Sequence, residues 1–288
     1  MQETIDIGLL TSAAYAGLQS DYWLIRDELL YRGYSVKAVV WNDERIDWSK
    51  VRNVVMCSAW DYCRHFEQFS NWLTEREQDC NVINTPALAK WNLDKTYLRH
   101  VEEQCVPVIP TIWFEKNSTI PTNFTCNWQD VVMKPTIGAG SVGIKRFDTA
   151  KDQETMQNHF RHLSQTSGIM LQPYLSSADK RGEVALIYFN GQFSHSIGRP
   201  VTGHHVSSDE EVALTFLREP TDAQIEISDK VLKCLPSMPA YVRIDFLPDD
   251  DGRDRILEIE MVEPSLFFQA DTASPGRFAD ALEERWIK

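Results

Sequence analysis

Hydrophobic and polar positions follow two different rhythms along this chain. Residues 5–10 form a short apolar run. Residues 20–32 then carry Leu24, Ile25, Leu29 and Leu30 at helical spacing, with Ser20 placed to cap the helix and Gly33 to end it. Residues 35–41 and 53–58 read as strands and 66–77 as another helix. Strands and helices that take turns in this way predict a small parallel sheet covered by helices. Ligands of such sheets sit beyond the carboxyl ends of the strands. The segment Ser58-Ala-Trp-Asp-Tyr62 directly follows a strand, where a substrate pocket is expected. The competing reading is a loop whose aromatic residues cap the core.

Beyond Pro107 the rhythm changes to hairpins. Residues 130–134 and 142–147 are strand-like and flank a glycine-rich turn, followed by a helix near 150–165 and a strand at 169–172. Residues 183–189 and 192–197 pair around Asn190-Gly191, a strong two-residue hairpin signal. A helix near 221–235, two further strands and a helix near 276–287 complete the pattern. It divides the chain into regions 1–100, 101–175 and 176–288.

The two late strands hold the most informative chemistry. Tyr241-Val-Arg-Ile-Asp245 and Arg255-Ile-Leu-Glu258-Ile-Glu260 flank the turn-rich run Asp249-Asp-Asp-Gly-Arg253. Alternate residues of a strand share a face, so Glu258 and Glu260 point together, as do Arg243 and Asp245. In the right register three carboxylates and a guanidinium converge. Carboxylates that close repel unless protons, cations or water separate them, and an all-oxygen set suits Mg²⁺. An amphipathic strand with its acids in water would show the same alternation.

Composition narrows the compartment and the partners. With 288 residues, 43% of them hydrophobic, the chain can build a large core in one α/β domain or two to three smaller ones. No apolar run is long enough to span a membrane, and the N-terminus lacks the basic start and apolar stretch of a signal peptide. The six cysteines show no C-x-x-C spacing, which fits reduced thiols in a cytoplasmic enzyme rather than disulfides or zinc. A net charge of −13 disfavours nucleic acid and anionic membranes as partners, leaving small molecules; oligomeric state is left open.

Between residues 134 and 143, Lys134-Pro-Thr-Ile-Gly138-Ala-Gly140-Ser141-Val-Gly143 contains a G-x-G-x-x-G string. A dinucleotide-binding fingerprint would open a helix, whereas here a second strand follows. No Gly-Lys-Ser/Thr closes a P-loop, and the kinase elements H-R-D and D-F-G are missing. A glycine loop between strands can still fold its N–H groups over phosphates, with Lys134 at its threshold; an ordinary hairpin turn is the plain alternative. Lys95 opens a helical segment, where a nearby anion would offset its clash with the helix dipole. The strand ending Gln172-Pro173-Tyr174-Leu175 must turn at its proline, as a hinge against a flat base or as a simple edge strand. Arg199 lies in a glycine-bearing stretch with His204 and His205, as a loop over a site or as exposed charge.

The order Lys95, Lys134 with its glycine loop, the Gln172 hinge, Arg243 with Asp245, and Glu258 with Glu260 resembles the ATP-grasp superfamily along nearly the whole chain. Ser58-Ala-Trp-Asp-Tyr62, Trp91-Asn-Leu-Asp-Lys95, Phe193-Ser-His-Ser-Ile197 and Glu260-Met-Val-Glu-Pro-Ser-Leu-Phe267 carry a closer likeness. It is to the glutathione-synthetase-like branch and, within it, to the cyclo-ligase family of D-cycloserine biosynthesis. The resemblance implies an α/β fold with an N-terminal parallel-sheet domain and two α+β lobes gripping ATP. It implies that Lys95, Lys134, Gly138, Gly140, Ser141 and Gly143 meet the phosphates, that Gln172, Pro173, Tyr174 and Leu175 hold adenine, and that Glu183 contacts the nucleotide. Asp245, Glu258 and Glu260 would carry Mg²⁺, although many members have Glu-x-Asn where this chain has Glu258-Ile-Glu260. Arg243 and Arg199 would serve the chemistry. The implied reaction is ATP-dependent joining of a carboxylate and an amine through an acylphosphate, on an amino-acid-like or small peptide substrate, possible within one molecule. A non-catalytic ATP-binding module and a small-molecule kinase are the alternatives.

Overall fold

The computed structural model describes residues 4–18, 21–121, 124–200 and 214–287. Strands β1 (Ile5–Thr11), β2 (Val36–Val40), β3 (Val51–Ser58) and β4 (Asn81–Ile83) form a parallel sheet of order β2-β1-β3-β4. Helix α1 (Tyr22–Tyr31) links the first two strands and α2 (Phe66–Arg76) the last two, as the alternating pattern predicts. Asp21 precedes α1 as its cap residue; Ser20, expected there, lies outside the described residues. Helices α3 (Pro86–Asn92) and α4 (Tyr97–Glu103) lead out of this sheet, and Lys95 sits in the turn between them.

The second sheet is antiparallel, of order β5-β8-β6-β7, from β5 (Ile112–Phe114), β6 (Asp130–Pro135), β7 (Lys145–Asp148) and β8 (Ile169–Pro173). Helix α5 (Gln153–Ser164) buries Met156, Phe160 and Leu163 against it. Two expectations need correcting here. The strand expected from residue 142 starts only at Lys145, because Gly140, Ser141 and Gly143 take positive φ of 60°, 60° and 81°, which a strand cannot hold. Nor is β8 an edge strand: it runs between β5 and β6, and Pro173 pairs with Val131 as its last residue.

After the short helix α6 (Ala178–Arg181) comes a five-stranded sheet of order β11-β10-β9-β12-β13. Its strands are β9 (Glu183–Phe189), β10 (Gln192–Arg199), β11 (Phe216–Leu217), β12 (Tyr241–Pro248) and β13 (Asp254–Glu260). Asn190 and Gly191 turn the β9–β10 hairpin with φ of 48° and 77°. Helix α7 (Asp222–Cys234) starts with a full capping box from Thr221 and Gln224, and α8 (Ser274–Arg285) closes the chain.

The parallel and five-stranded sheets share a core. Ile7 and Leu9 of β1 and Ile25 and Leu29 of α1 pack in one buried cluster with Ala185 and Ile187 of β9 and Phe278 of α8. The free edge of β13 is covered by side chains of the preceding helices. Asn92 bonds the Ile259 carbonyl and the Met261 N–H, at 2.8 Å each, while the Tyr97 hydroxyl bonds both backbone groups of Ile259. Buried edges of this kind must be paired to avoid the cost of unsatisfied amides. The result fixes β13 with Glu258 and Glu260 facing the interior of the groove.

Candidate active site

The carboxylate hairpin forms in the register the alternation requires. Arg243 pairs across from Glu260 and Asp245 from Glu258, with an irregularity between Asp245 and Phe246. The Arg243 guanidinium is buried and donates to both Asp245 oxygens, at 2.8 Å from Nε and 2.8 Å from Nη2. Its Nη2 also lies 2.8 Å from Glu260, and its Nη1 donates to the Ser265 carbonyl at 3.1 Å. Glu258 has its own cation, Lys95 Nζ at 2.7 Å. Burial opposes charge on Glu258, but Lys95 and then Lys134 outweigh it and hold the carboxyl below its usual range. Glu260 shares one guanidinium with Asp245, and burial pushes its carboxyl well up despite Arg243. The amphipathic strand with acids in water is therefore excluded.

A cavity of about 470 Å³ opens over these groups, and the glycine loop forms its other wall through Gly138, Ala139, Gly140, Ser141 and Val142. Lys95 ties the loop down: its Nζ donates to the Gly138 carbonyl at 2.7 Å and its backbone N–H to the Thr136 carbonyl at 2.8 Å. Lys134, on β6, is buried beside it and also lines the cavity. Burial drives its ammonium down to about 8, and repulsion from Lys95 adds to that against the pull of Glu258. Gly143 lies just outside the lining, where its carbonyl accepts from His159 Nε2 at 2.9 Å.

Glu183 and Arg199 face each other across the β9–β10 pair, 2.5 Å apart, with Arg199 Nη2 also 3.9 Å from Asp245. Arg199 is therefore the last residue of a strand, with only 16% of its side chain exposed, and is neither loop nor surface charge. His204 and His205 lie outside the described residues. Gly182 sets this pair: at φ +71° a Cβ would stand 2.4 Å from the Arg199 carbonyl oxygen. Gly182→Ala is expected to destabilise the protein by about 2–4 kcal/mol, from the strained backbone and the displaced strand end together. Urea unfolding of the variant measures this directly; an unchanged midpoint would mean the backbone moves aside freely.

Other expected site residues lie elsewhere. Gln172 is buried and donates to Thr111 Oγ1 at 2.9 Å, Pro173 ends β8, Tyr174 stacks under Arg146 at 3.6 Å, and Leu175 packs on Ile109 and Ala178. None of the four lines the cavity. The Ser58–Tyr62 segment divides between its two readings: Ala59 and Tyr62 are core, while Trp60 and Asp61 line the cavity beside Ser12 and Tyr15. Among the described residues, no three or more His, Cys, Asp or Glu side chains are arranged to hold a metal unaided. Asp245, Glu258 and Glu260 each face Arg243 or Lys95 instead, so a Mg²⁺ held by them would need water and phosphate to complete its shell. The six cysteines are free thiols, and no helix among the described residues is long and apolar enough to cross a membrane.

The segment after β13, which carries part of the family resemblance, has a structural role that sequence reasoning did not assign. Four successive carbonyls each accept a hydrogen bond from a different element: Glu263 from Trp60 Nε1, Pro264 from the Tyr22 hydroxyl, Ser265 from Arg243 and Leu266 from His195 Nε2. Glu263, buried near Tyr62, reaches the same cavity, and burial raises its carboxyl to about 7. Ser194 donates to His195 Nδ1 at 2.9 Å, so the neutral ring is fully satisfied; burial lowers its pKa to about 4. The folded ring thus resists a proton that the unfolded chain accepts near 6.5. Its share of stability is intact above that pH and lost as pH falls towards 4, while Glu263 works in the opposite sense. Between pH 7 and 5 the wild type should lose roughly 2 kcal/mol more than His195→Asn. Parallel urea titrations test this, and equal losses would refute the neutral buried ring.

Residues 7–84 match the family model described as the N-terminal domain of D-cycloserine synthetase DcsG. The cycloserine biosynthesis protein DcsG of Streptomyces lavendulae is 28% identical over 296 residues, covering 97% of this chain and 98% of that protein. The crystal structure of D-cycloserine synthetase DcsG superposes with a TM-score of 0.88 at 27% identity, over 97% of this chain and 99% of the other. D-alanine–D-alanine ligase from Bacillus anthracis, complexed with ATP, gives a TM-score of 0.67 at 14% identity, covering 98% and 97% of the two chains. ATP-grasp ligase PsnB, complexed with a variant of its minimal precursor, Mg and ADP, gives 0.63 at 15%, covering 98% and 99%. The chain has the ATP-grasp fold of these ligases from end to end, and it is an ATP-dependent carboxylate–amine ligase similar throughout its length to D-cycloserine synthetase.

Proposed function

We propose that the cavity binds ATP with Mg²⁺ and closes a ring within one amino-acid-like substrate. The observation that carries this reading is the placement of Asp245, Glu258 and Glu260 on one hairpin face, opposite a glycine loop anchored by Lys95. Asp245, Glu258 and Glu260 are the residues to hold Mg²⁺, which would neutralise phosphate charge and polarise the transferring group. Lys95, Lys134 and the loop at Gly138, Gly140 and Ser141 meet the phosphates, with Gly143 shaping the loop from just outside the lining. Glu183, in the lining, contacts the nucleotide, whereas residues 172–175 lie outside the lining and would take the base only if the cleft extends to them on binding.

In the first step a substrate carboxylate oxygen attacks the γ-phosphorus, and the bond to the bridging oxygen breaks to release ADP. Arg243 and Arg199 steady the transferring group and the charge on the acylphosphate. The substrate nitrogen then attacks the carbonyl carbon, phosphate leaves with the electron pair, and the nitrogen loses its proton to solvent. Most of the protein's work is positioning and charge compensation. The likeness to D-cycloserine synthetase supports a ring-forming substrate. Adding water across the ring amide of cycloserine gives a serine whose side-chain oxygen carries an NH₂ group, which holds both reacting ends in one molecule.

The test is ADP and phosphate release with Mg²⁺ and ATP across amino acids, dipeptides and O-substituted serines, including O-aminoserine, with mass spectrometry of the products. The expected result is stimulation by an O-substituted serine and a product lighter by water. A phosphorylated end product would make the protein a kinase. ATP binding with no stimulation across the panel would overturn the cyclising reading.

A further inference from the structure

We infer that the end of the cavity against the parallel sheet, where Glu263 and Asp61 line it together with the Ser12 hydroxyl, is a subsite for the α-ammonium group of the substrate. This assignment rests on the ligase reading and adds to it the residues that select the substrate. Strand register brings the pieces together: Thr11 pairs with Ser58 at the carboxyl ends of β1 and β3, so Ser12 and Trp60 leave the sheet side by side. Trp60 Nε1 then holds the Glu263 carbonyl at 2.9 Å, and its ring meets Tyr15 edge-on at 5.0 Å.

Three observations point to a cation here. The other acids of the cavity are already matched, Glu183 by Arg199, Asp245 and Glu260 by Arg243, and Glu258 by Lys95. Glu263 and Asp61 make no ion pair among the described residues, and Asp61 accepts from Trp41 Nε1 at 2.9 Å. Lys95 and Arg243 act on Glu263 only from a distance, and a buried carboxylate without a direct ion pair is costly until a positive group joins it. The third observation is independent of the acids. Ser12 is fully buried, lines the cavity, and its hydroxyl oxygen has no hydrogen-bond partner. Orphaned buried hydroxyls are rare, and a ligand N–H would satisfy this one. An ammonium has three donors to place, and two carboxylates with a hydroxyl can accept them. Arg243 and the glycine loop line the same cavity and can receive the carboxylate that reacts, so an α-amino acid finds partners for both of its charges.

The test uses D-cycloserine and isoxazolidin-3-one, the same ring without the amine, titrated by calorimetry into the full chain with Mg²⁺ and ADP. Wild type should bind D-cycloserine about tenfold or more tighter, as a charge-assisted contact implies. Glu263→Gln, and separately Asp61→Asn in case the first variant folds poorly, should bring the two ligands to within about twofold. Equal binding of both rings by wild type, or a preference that survives in the folded variants, overturns the ammonium subsite while leaving the ligase reading in place. Wild type that binds neither ring overturns the cyclising reading and the assignment with it.

Discussion

Replacing Glu260 with alanine is expected to cut ADP formation by about a thousandfold, the upper end for loss of one charge-stabilising group, while the protein stays folded. The two halves of this expectation have separate structural grounds. Glu260 lies at the end of β13 with 22% of its side chain open to the cavity, so its removal creates no buried hole. Arg243 keeps Asp245 and the Ser265 carbonyl, and the strand keeps its bonds to Asn92 and Tyr97. The loss should therefore fall on the proposed metal and not on the fold. Raising Mg²⁺ should recover part of the rate, and the melting temperature should stay within a few degrees. Wild-type turnover in the variant would remove Glu260 from the proposed metal set.

Arg243→Met should have the opposite profile, with stability and activity lost together. The guanidinium is 4% exposed and Asp245 only 1%, so the variant strands a buried carboxylate and leaves the Ser265 carbonyl without its donor. Breaking one side of such a pair costs about 3–5 kcal/mol, a large part of a typical domain's 5–15. The double variant Arg243→Met with Asp245→Leu removes both charges and should regain much of that loss, since apolar isosteres often equal a buried pair. Turnover should stay absent in both. Urea midpoints and ADP release, measured on the same preparations, separate the effects. A single variant as stable as wild type would show that Asp245 finds another partner, and Arg199, 3.9 Å away, is the nearest candidate.

The sequence made the carboxylate face legible because a period of two leaves only one relative orientation for Glu258 and Glu260, and an Asp/Gly turn fixes which strand they meet. The β9–β10 hairpin was legible for a similar local reason, the demand of its turn for Asn190-Gly191. What could not be read was set by contacts between distant segments. Nothing near Lys95 announces that its ammonium will lie between Glu258 and the Gly138 carbonyl. Arg199 follows a glycine and precedes a proline, so its neighbours suggest a loop, yet pairing with β9 carries the strand through it. Ser141 takes a left-handed φ that its own chemistry does not ask for, and Asn84 does the same at 53° while its side chain bonds Tyr241, Met261 and Ala240. Single polar residues of this kind have no periodicity to betray them.

The four carbonyls from Glu263 to Leu266 also constrain how this enzyme can change over generations. Each is claimed by a donor from a different part of the chain, so one inserted or deleted residue would misalign all of them at once. Exchange of a side chain at Glu263 or Ser265 disturbs none of them. This wall of the pocket can therefore vary its chemistry but not its length, and room for a larger substrate has to be opened elsewhere, as at the turn that follows Thr11.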